Sequence, residues 1–401
     1  DFTETAIFAA EQVGFRRAED LNDGDLSGVL GYEWMNYAGD RRRSSYVAFL
    51  APHLLRPNLV VETGAKARRI LFAEGEGEGG VPRACGVEYR VGDESVRAVA
   101  ATREVILCAG ALESPRLLQL SGIGAAPALR ALGLPVVRDL PRVGEGLRDH
   151  PNVTLFFRGH REVDCNYPQL YGFHRVGRGD GLPPEQADTC FVFYPARSSL
   201  REAMIRMLPA MTLPPRLRDG AVAPAMLRGG VKAAFRSAAL RRFIAKVYGI
   251  TVILGRPKSR GSVRIESADP EAPAVVDPAY FADPEDLETM VRGVALARRI
   301  AAAEPLRRWG SRALMPGAGV RSDRRIARFI RKNAMTTYHF ASTCRMGTDA
   351  DAVVDPTLRV RGVAGLRVAD ASVMPEVLVS ALNAPSMMIG WRAAQFIRDE
   401  G

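Results

Sequence analysis

The residues best suited to acid–base chemistry lie toward the C-terminal end of the chain. His339 sits in the irregular stretch TYHFASTCRMG (337–347), beside Cys344, Arg345 and Met346, and is one of only five histidines in 401 residues. A neutral imidazole can take a hydroxyl proton while an electron-accepting cofactor removes the geminal hydride. A core or capping histidine is the structural alternative. Asn383, 44 residues further on, begins Asn-Ala-Pro-Ser (383–386). Asn is a favoured N-cap and Pro is favoured in the first turn, so these residues open a helix on structural grounds alone. The same helix N-terminus carries unpaired N–H groups and a positive dipole end, which favour negative charge developing nearby. Only the fold can bring His339 and Asn383 together.

The elements that must position them are readable in outline. An apolar strand at 366–369 runs into Asp370-Ala371-Ser372, and the helix opened by Asn383 carries Met388, Ile389 and Phe396 on its apolar side. Earlier, EVILCAGALESPRLLQLSGIG (104–124) reads as a strand, a turn of small residues Ala109-Gly110-Ala111, and a helix started by Ser114-Pro115. Small residues at such a junction let a backbone approach a ligand closely, and they equally serve tight packing. The runs at 58–74, 84–91 and 95–110 are short, β-rich and separated by turns, which predicts an antiparallel meander. GEGEGG (75–80) within it matches GxGxxG, but a strand rather than a helix follows, so it reads as a hairpin tip and not a phosphate loop. Helices are expected over 4–14, 41–55, 283–303 and 322–334. The region 151–254, proline-rich at 183–215, reads as a second domain with long loops, and strands return at 249–267.

Length and composition bound the rest. A chain of 401 residues, 47% apolar and 25% charged, is an ordinary globular protein of about two domains. No apolar run is long enough to span a membrane, and the acidic start DFTETAIFAAEQ lacks the basic region of a signal peptide. Five scattered cysteines without a CxxC pair argue against a disulfide framework or a zinc site, and the reducing cytoplasm is the expected compartment. Of the net charge of +10, a balance of +8 falls within residues 201–246, where Arg and Lys alternate with Met, Leu and Phe. No aromatic stacking platform accompanies these cations, so nucleic acid is not the expected partner. The segment reads as a solvated helical face or flap, or alternatively as a contact with an anionic membrane surface.

Taken in order, several of these motifs resemble the glucose-methanol-choline (GMC) family of flavin-dependent oxidoreductases over nearly the whole chain. GALESPRLLQLSGIG (110–124) is similar to that family's second signature and LPRVGEGLRDHP (140–151) to the segment after it. RPKSRGSVRI (256–265), DPEDLETMVRG (283–293), YHFASTCRMG (338–347) and DASVMP…NAPSMMIG (370–390) match the C-terminal half in order and spacing. The resemblance implies an α/β protein: an FAD-binding doubly wound sheet (46–150 and 346–401) interleaved with a substrate domain on an antiparallel sheet (1–45 and 151–345). It implies FAD as cofactor, His339 as catalytic base and Asn383 as its partner in oxidising a small-molecule alcohol. It also implies flavin contacts at Asp370, Ala371, Asn383, Ala384 and Pro385, with Ala67, Ala109 and Gly110 beside the adenosine half.

Phe340 and Ser342 depart from the family's usual Pro and Gly. The family's opening strand, GxGxxG loop and acidic ribose ligand do not precede Asp1, which predicts an N-terminally incomplete flavin domain and weak FAD binding by these 401 residues alone. The alternatives are a choline dehydrogenase-like activity, with Tyr167, Tyr171 and Phe173 as candidate rings for a quaternary ammonium, a flavin-bearing hydroxynitrile lyase, or a truncated inactive remnant.

Overall fold

The computed structural model describes residues 1–73, 80–178, 181–197, 205, 208, 212–218 and 220–400. Residues 75–79 of the expected hairpin tip, and part of the basic segment, lie outside them. The chain divides into two units: residues 1–34, 151–256 and 284–335 form the first, and 35–150, 257–283 and 336–401 the second. Relative to the expected domain limits, 35–45, 257–283 and 336–345 group with the second unit. Pairing explains one of these shifts, because Gly261–Arg264 lies between Glu145–Leu147 and Val275–Asp277 in one small antiparallel sheet.

The first unit is built on a sheet whose strands run Arg16–Arg17, Val29–Tyr32, Leu170–His174, Thr189–Pro195, Val247–Leu254, Pro151–Arg158 and Arg312–Met315 in spatial order. Every neighbouring pair is antiparallel except the short first one. The region read as long loops therefore supplies central strands. Its apolar and β-branched runs (VTLFF, CFVFY, VYGITVIL) carry a two-sided buried pattern that simple alternation does not reveal. The helix Pro284–Ala302 packs on this sheet through a buried face that includes Met290, Val294, Ala297 and Ile300. Gly293 sets how closely it lies: a Cβ there would stand 2.7 Å from Val252 and 3.4 Å from Thr189. Phe157 stacks on Tyr248, which also lies against the Phe2 ring.

In the second unit, Ala65–Phe72, Ala84–Val91 and Arg97–Ala100 form the expected antiparallel meander, although 58–64 stays outside it. Val105–Leu107 instead pairs in parallel with Leu366–Val368 and leads directly into the helix Gly110–Leu120. A core of Leu107, Leu118, Val354, Val368, Val373 and Ile389, among others, fills the unit. Arg367, buried in it, donates to Glu104 and Glu400 and to the Thr357 carbonyl.

Two helix expectations change. The segment 41–55 forms only a two-residue strand and the single turns Tyr46–Leu50 and Ala51–His53. Neither turn buries a residue, and Pro52 removes a ladder donor, so no packed face supports a longer helix. The helix expected to start at Ser114-Pro115 begins four residues earlier, at Gly110, with Pro115 inside it. Lacking an N–H, Pro115 leaves the carbonyl of Ala111 without its i+4 donor. The Thr343 hydroxyl donates to that oxygen at 2.7 Å.

Candidate active site

The turn at the end of the strand Leu366–Val368 is organised by one carboxylate. Asp370 accepts from the Gly110 N–H at 2.9 Å, from the Ser114 hydroxyl at 2.5 Å and from the Ser372 N–H at 2.8 Å. It therefore caps the short turn Ala371–Val373 and the N-terminus of the helix Gly110–Leu120 together, where a negative charge is favoured. Ala109 joins the cluster by donating its N–H to the Ser114 hydroxyl at 3.2 Å. Four residues separated by 260 positions in sequence, Ala109, Gly110, Asp370 and Ala371, are thus brought together. Ala67 is not tied to this turn. Its strand is anchored at the opposite end of the helix, where the Ile70 N–H donates to the Ser121 hydroxyl at 2.9 Å.

The loop that carries His339 is fixed to the same turn. Ser342 donates its N–H to the Ala371 carbonyl, Cys344 to Ser372 and Met346 to Val373, at 3.2, 2.8 and 2.8 Å. Burial pushes the Cys344 thiol well above its usual range, so this cysteine is an inert packing residue. The backbone turns back through two left-handed positions, Tyr338 at φ +62° and Ser342 at φ +76°. A left-handed position is one that glycine occupies without strain, which gives a physical reason why Gly would suit position 342. The Ser342 hydroxyl is buried without a partner among the described residues.

What holds His339 itself was not assigned from the sequence. Asp149, 2% exposed, accepts from the His339 N–H at 2.8 Å, from the Thr336 hydroxyl at 2.5 Å and from the Tyr280 phenol. Burial, reinforced by the Asp149 carboxylate, pushes the Tyr280 phenol well above its usual range and keeps it a donor. Next to Asp149, His150 places Nδ1 3.2 Å from Nδ1 of His339, with the rings nearly perpendicular. The His150 carbonyl also accepts from the Thr337 N–H and hydroxyl. Two facing Nδ1 atoms need one donor and one acceptor. If His339 donates from Nδ1, its Nε2 is left with a lone pair; in the reverse arrangement Nε2 carries the proton. Burial lowers the His339 pKa, and the nearby Asp149 charge partly offsets this. Neutral imidazole is therefore the dominant form at pH 7. Asp149 and His150 stand in a motif already noticed, LPRVGEGLRDHP, but their role depends on contacts across some 190 positions.

Asn383 is the first residue of the helix Asn383–Asp399, and the N-cap position belongs to Leu382, so the expected capping role is not realised. Ser386 donates to the Leu382 carbonyl at 3.0 Å. The Asn383 carboxamide is exposed, and neither it nor the N–H groups of Asn383 and Ala384 has an acceptor or donor partner among the described residues. It does not hydrogen-bond to His339. The features that would hold a planar, anion-forming cofactor are nonetheless present in this unit. They are an uncommitted amide on a helix N-terminus and, at Gly110 (φ +83°), a backbone position with no atom within 4 Å of where a Cβ would stand.

Comparison with known proteins identifies the family. Residues 2–152 and 257–390 match the two models of the GMC oxidoreductase family. The chain is 35% identical over 387 residues to an alcohol dehydrogenase [acceptor] of Pseudomonas putida, covering 94% of this chain and 65% of that protein. It is 32% identical over 407 residues to an oxygen-dependent choline dehydrogenase of Klebsiella pneumoniae, covering 98% and 68%. Among solved structures, pyridoxine 4-oxidase from Mesorbium loti superposes with a TM-score of 0.77 at 27% identity, over 98% of this chain and 68% of that one. The chain belongs to the GMC oxidoreductase family. It spans about two thirds of the length of the curated relatives it matches.

Proposed function

We propose that this protein oxidises the CH–OH group of a small alcohol to the aldehyde or ketone with FAD as cofactor. The observation that carries this reading is the half-buried, neutral His339, fixed through its amide to Asp149 and through its ring to His150. His339 is the base: with Nδ1 donating to His150, its Nε2 takes the hydroxyl proton of the substrate. Asn383 orients the resulting alkoxide through its free carboxamide. Asp370, Ala371, Ala109 and Gly110 form the wall against which the cofactor is held, and the Asn383-Ala384-Pro385 turn offers N–H groups and a helix dipole to its anionic form. Bound FAD would supply the hydride acceptor.

The names of the relatives support this class of donor, with choline as the leading specific alternative. A cage of Tyr167, Tyr171 and Phe173 is not favoured by their settings. Phe173 is buried, Tyr167 is exposed, and the half-buried Tyr171 phenol is held beside Glu33. A neutral alcohol suits the site better. Ala67 remains a candidate backbone contact to the adenosine half. A cyanohydrin-cleaving activity would leave the flavin oxidised, so bleaching by substrate separates the two chemistries.

In the flavin-loaded enzyme, His339→Ala should slow flavin reduction by about 10²-fold or more in single-turnover measurements. An unchanged rate removes His339 from the mechanism. Because the folded pKa of His339 lies below 6.5, kcat/KM should rise with pH along an acid limb whose midpoint is below 6.5. The stability that comes from keeping the ring neutral is complete above pH 6.5 and is lost as pH falls from there through the folded pKa.

A further inference from the structure

The helix Val222–Ala234, in the first unit, carries three different surfaces. Its inner side holds buried Pro224 and Val231 with half-buried Leu227. One flank holds the exposed cations Arg228 and Lys232. The outer side is apolar as well: Val222, Met226, Gly229 and Ala233 follow i, i+4, i+7 and i+11, a single stripe. Val222 and Met226 are 71% and 73% exposed. A helix lying on a soluble surface places polar residues there. The next helix, Ala238–Ala245, puts Leu240 and Ile244 inward and Arg241 and Arg242 outward.

Between the two helices lies a pocket of about 360 Å³ lined by Leu227, Val231, Phe235, Leu240, Phe243 and Ile244. The Arg158 guanidinium stands 4.7 Å from the Phe243 ring. From Gly220 to Lys246 the chain has six cations and no carboxylate.

We propose that this helix pair docks the protein peripherally on an anionic phospholipid bilayer. The stripe of Val222 and Met226 enters the boundary between headgroups and acyl chains, and Arg228, Lys232, Arg236, Arg241 and Arg242 meet the lipid phosphates. The apolar pocket gives an inserted acyl segment a recess. Charge complementarity selects this occupant: an isologous contact with a second copy would set six cations against six, whereas a fluid anionic surface neutralises all of them without requiring directional partners.

Co-sedimentation of the full chain with vesicles tests the assignment. Binding to an equimolar phosphatidylcholine–phosphatidylglycerol mixture at about 0.05 M salt should exceed binding to phosphatidylcholine alone by about tenfold or more, and should be lost at about 0.5 M salt. The pair Arg228→Glu and Lys232→Glu should weaken it about tenfold or more. Val222→Glu with Met226→Glu should abolish it while leaving the thermal midpoint and flavin content unchanged. Any of three results overturns the proposal: equal binding to both vesicle types, no binding to the anionic vesicles at low salt, or undiminished binding by the Val222→Glu, Met226→Glu variant. So does a concentration-dependent dimer in vesicle-free buffer that this variant dissolves, since that would give the stripe to a second copy.

Discussion

The loop around His339 and the helix pair 222–245 satisfy their polar and apolar groups in opposite ways. In the loop, the buried carboxylate of Asp149 answers four donors, and the backbone of 342–346 is hydrogen-bonded to 371–373. In the helix pair, five cations face solvent and the apolar stripe faces outward. The contrast separates two kinds of work. A group that must deliver a proton to one atom is over-determined by internal contacts, while a surface that recognises a class of environment keeps its interactions uncommitted.

Three substitutions sharpen the contrast from the loop side. The largest effect belongs to Asp149. Asp149→Ala removes the acceptor that the Tyr280 and Thr336 hydroxyls and the His339 amide share in a buried site, which should cost about 3–5 kcal/mol by chemical denaturation. If the loss is below about 1 kcal/mol, the loop is held by something other than this hub.

His150 comes next, and its test is specific to the tautomer. His150→Asn keeps an acceptor close to the position of the lost Nδ1, whereas His150→Leu does not. Flavin reduction should fall about tenfold in the Leu variant and be substantially retained in the Asn variant. Equal losses in both would mean that His150 packs against His339 without accepting its proton. The smallest effect is a gain. Ser342→Gly relieves a left-handed serine and removes an orphaned buried hydroxyl, and should stabilise the protein by about 0.5–1 kcal/mol in the same denaturation assay.

How much of this was legible beforehand follows the range of the interactions. Asp370 and the Gly110 turn were readable because each combines a strand end, small residues and a helix start within a few positions, and local chemistry fixes such junctions. His339 and Asn383 were readable as candidates from residue type and from the family resemblance. The support of His339 was not, because Asp149, His150 and Tyr280 reach it only through tertiary contacts, although Asp149 and His150 sit side by side in the motif LPRVGEGLRDHP. The 41–55 reading failed for a related reason. RRRSSYVAFLAPHLL has a helix-like pattern, but a helix that buries none of its residues has little beyond intrinsic propensity to sustain it. Asn383 shows the converse, where a residue type suited to capping leaves the cap to Leu382 and its own side chain uncommitted.

Pro115 shows how an apparent defect becomes a joint. A single spare lone pair in the first turn of a helix is the socket into which a hydroxyl 232 positions away plugs. Were that helix to close every rung of its own ladder, it would gain self-sufficiency and lose one of its grips on the segment bearing the imidazole.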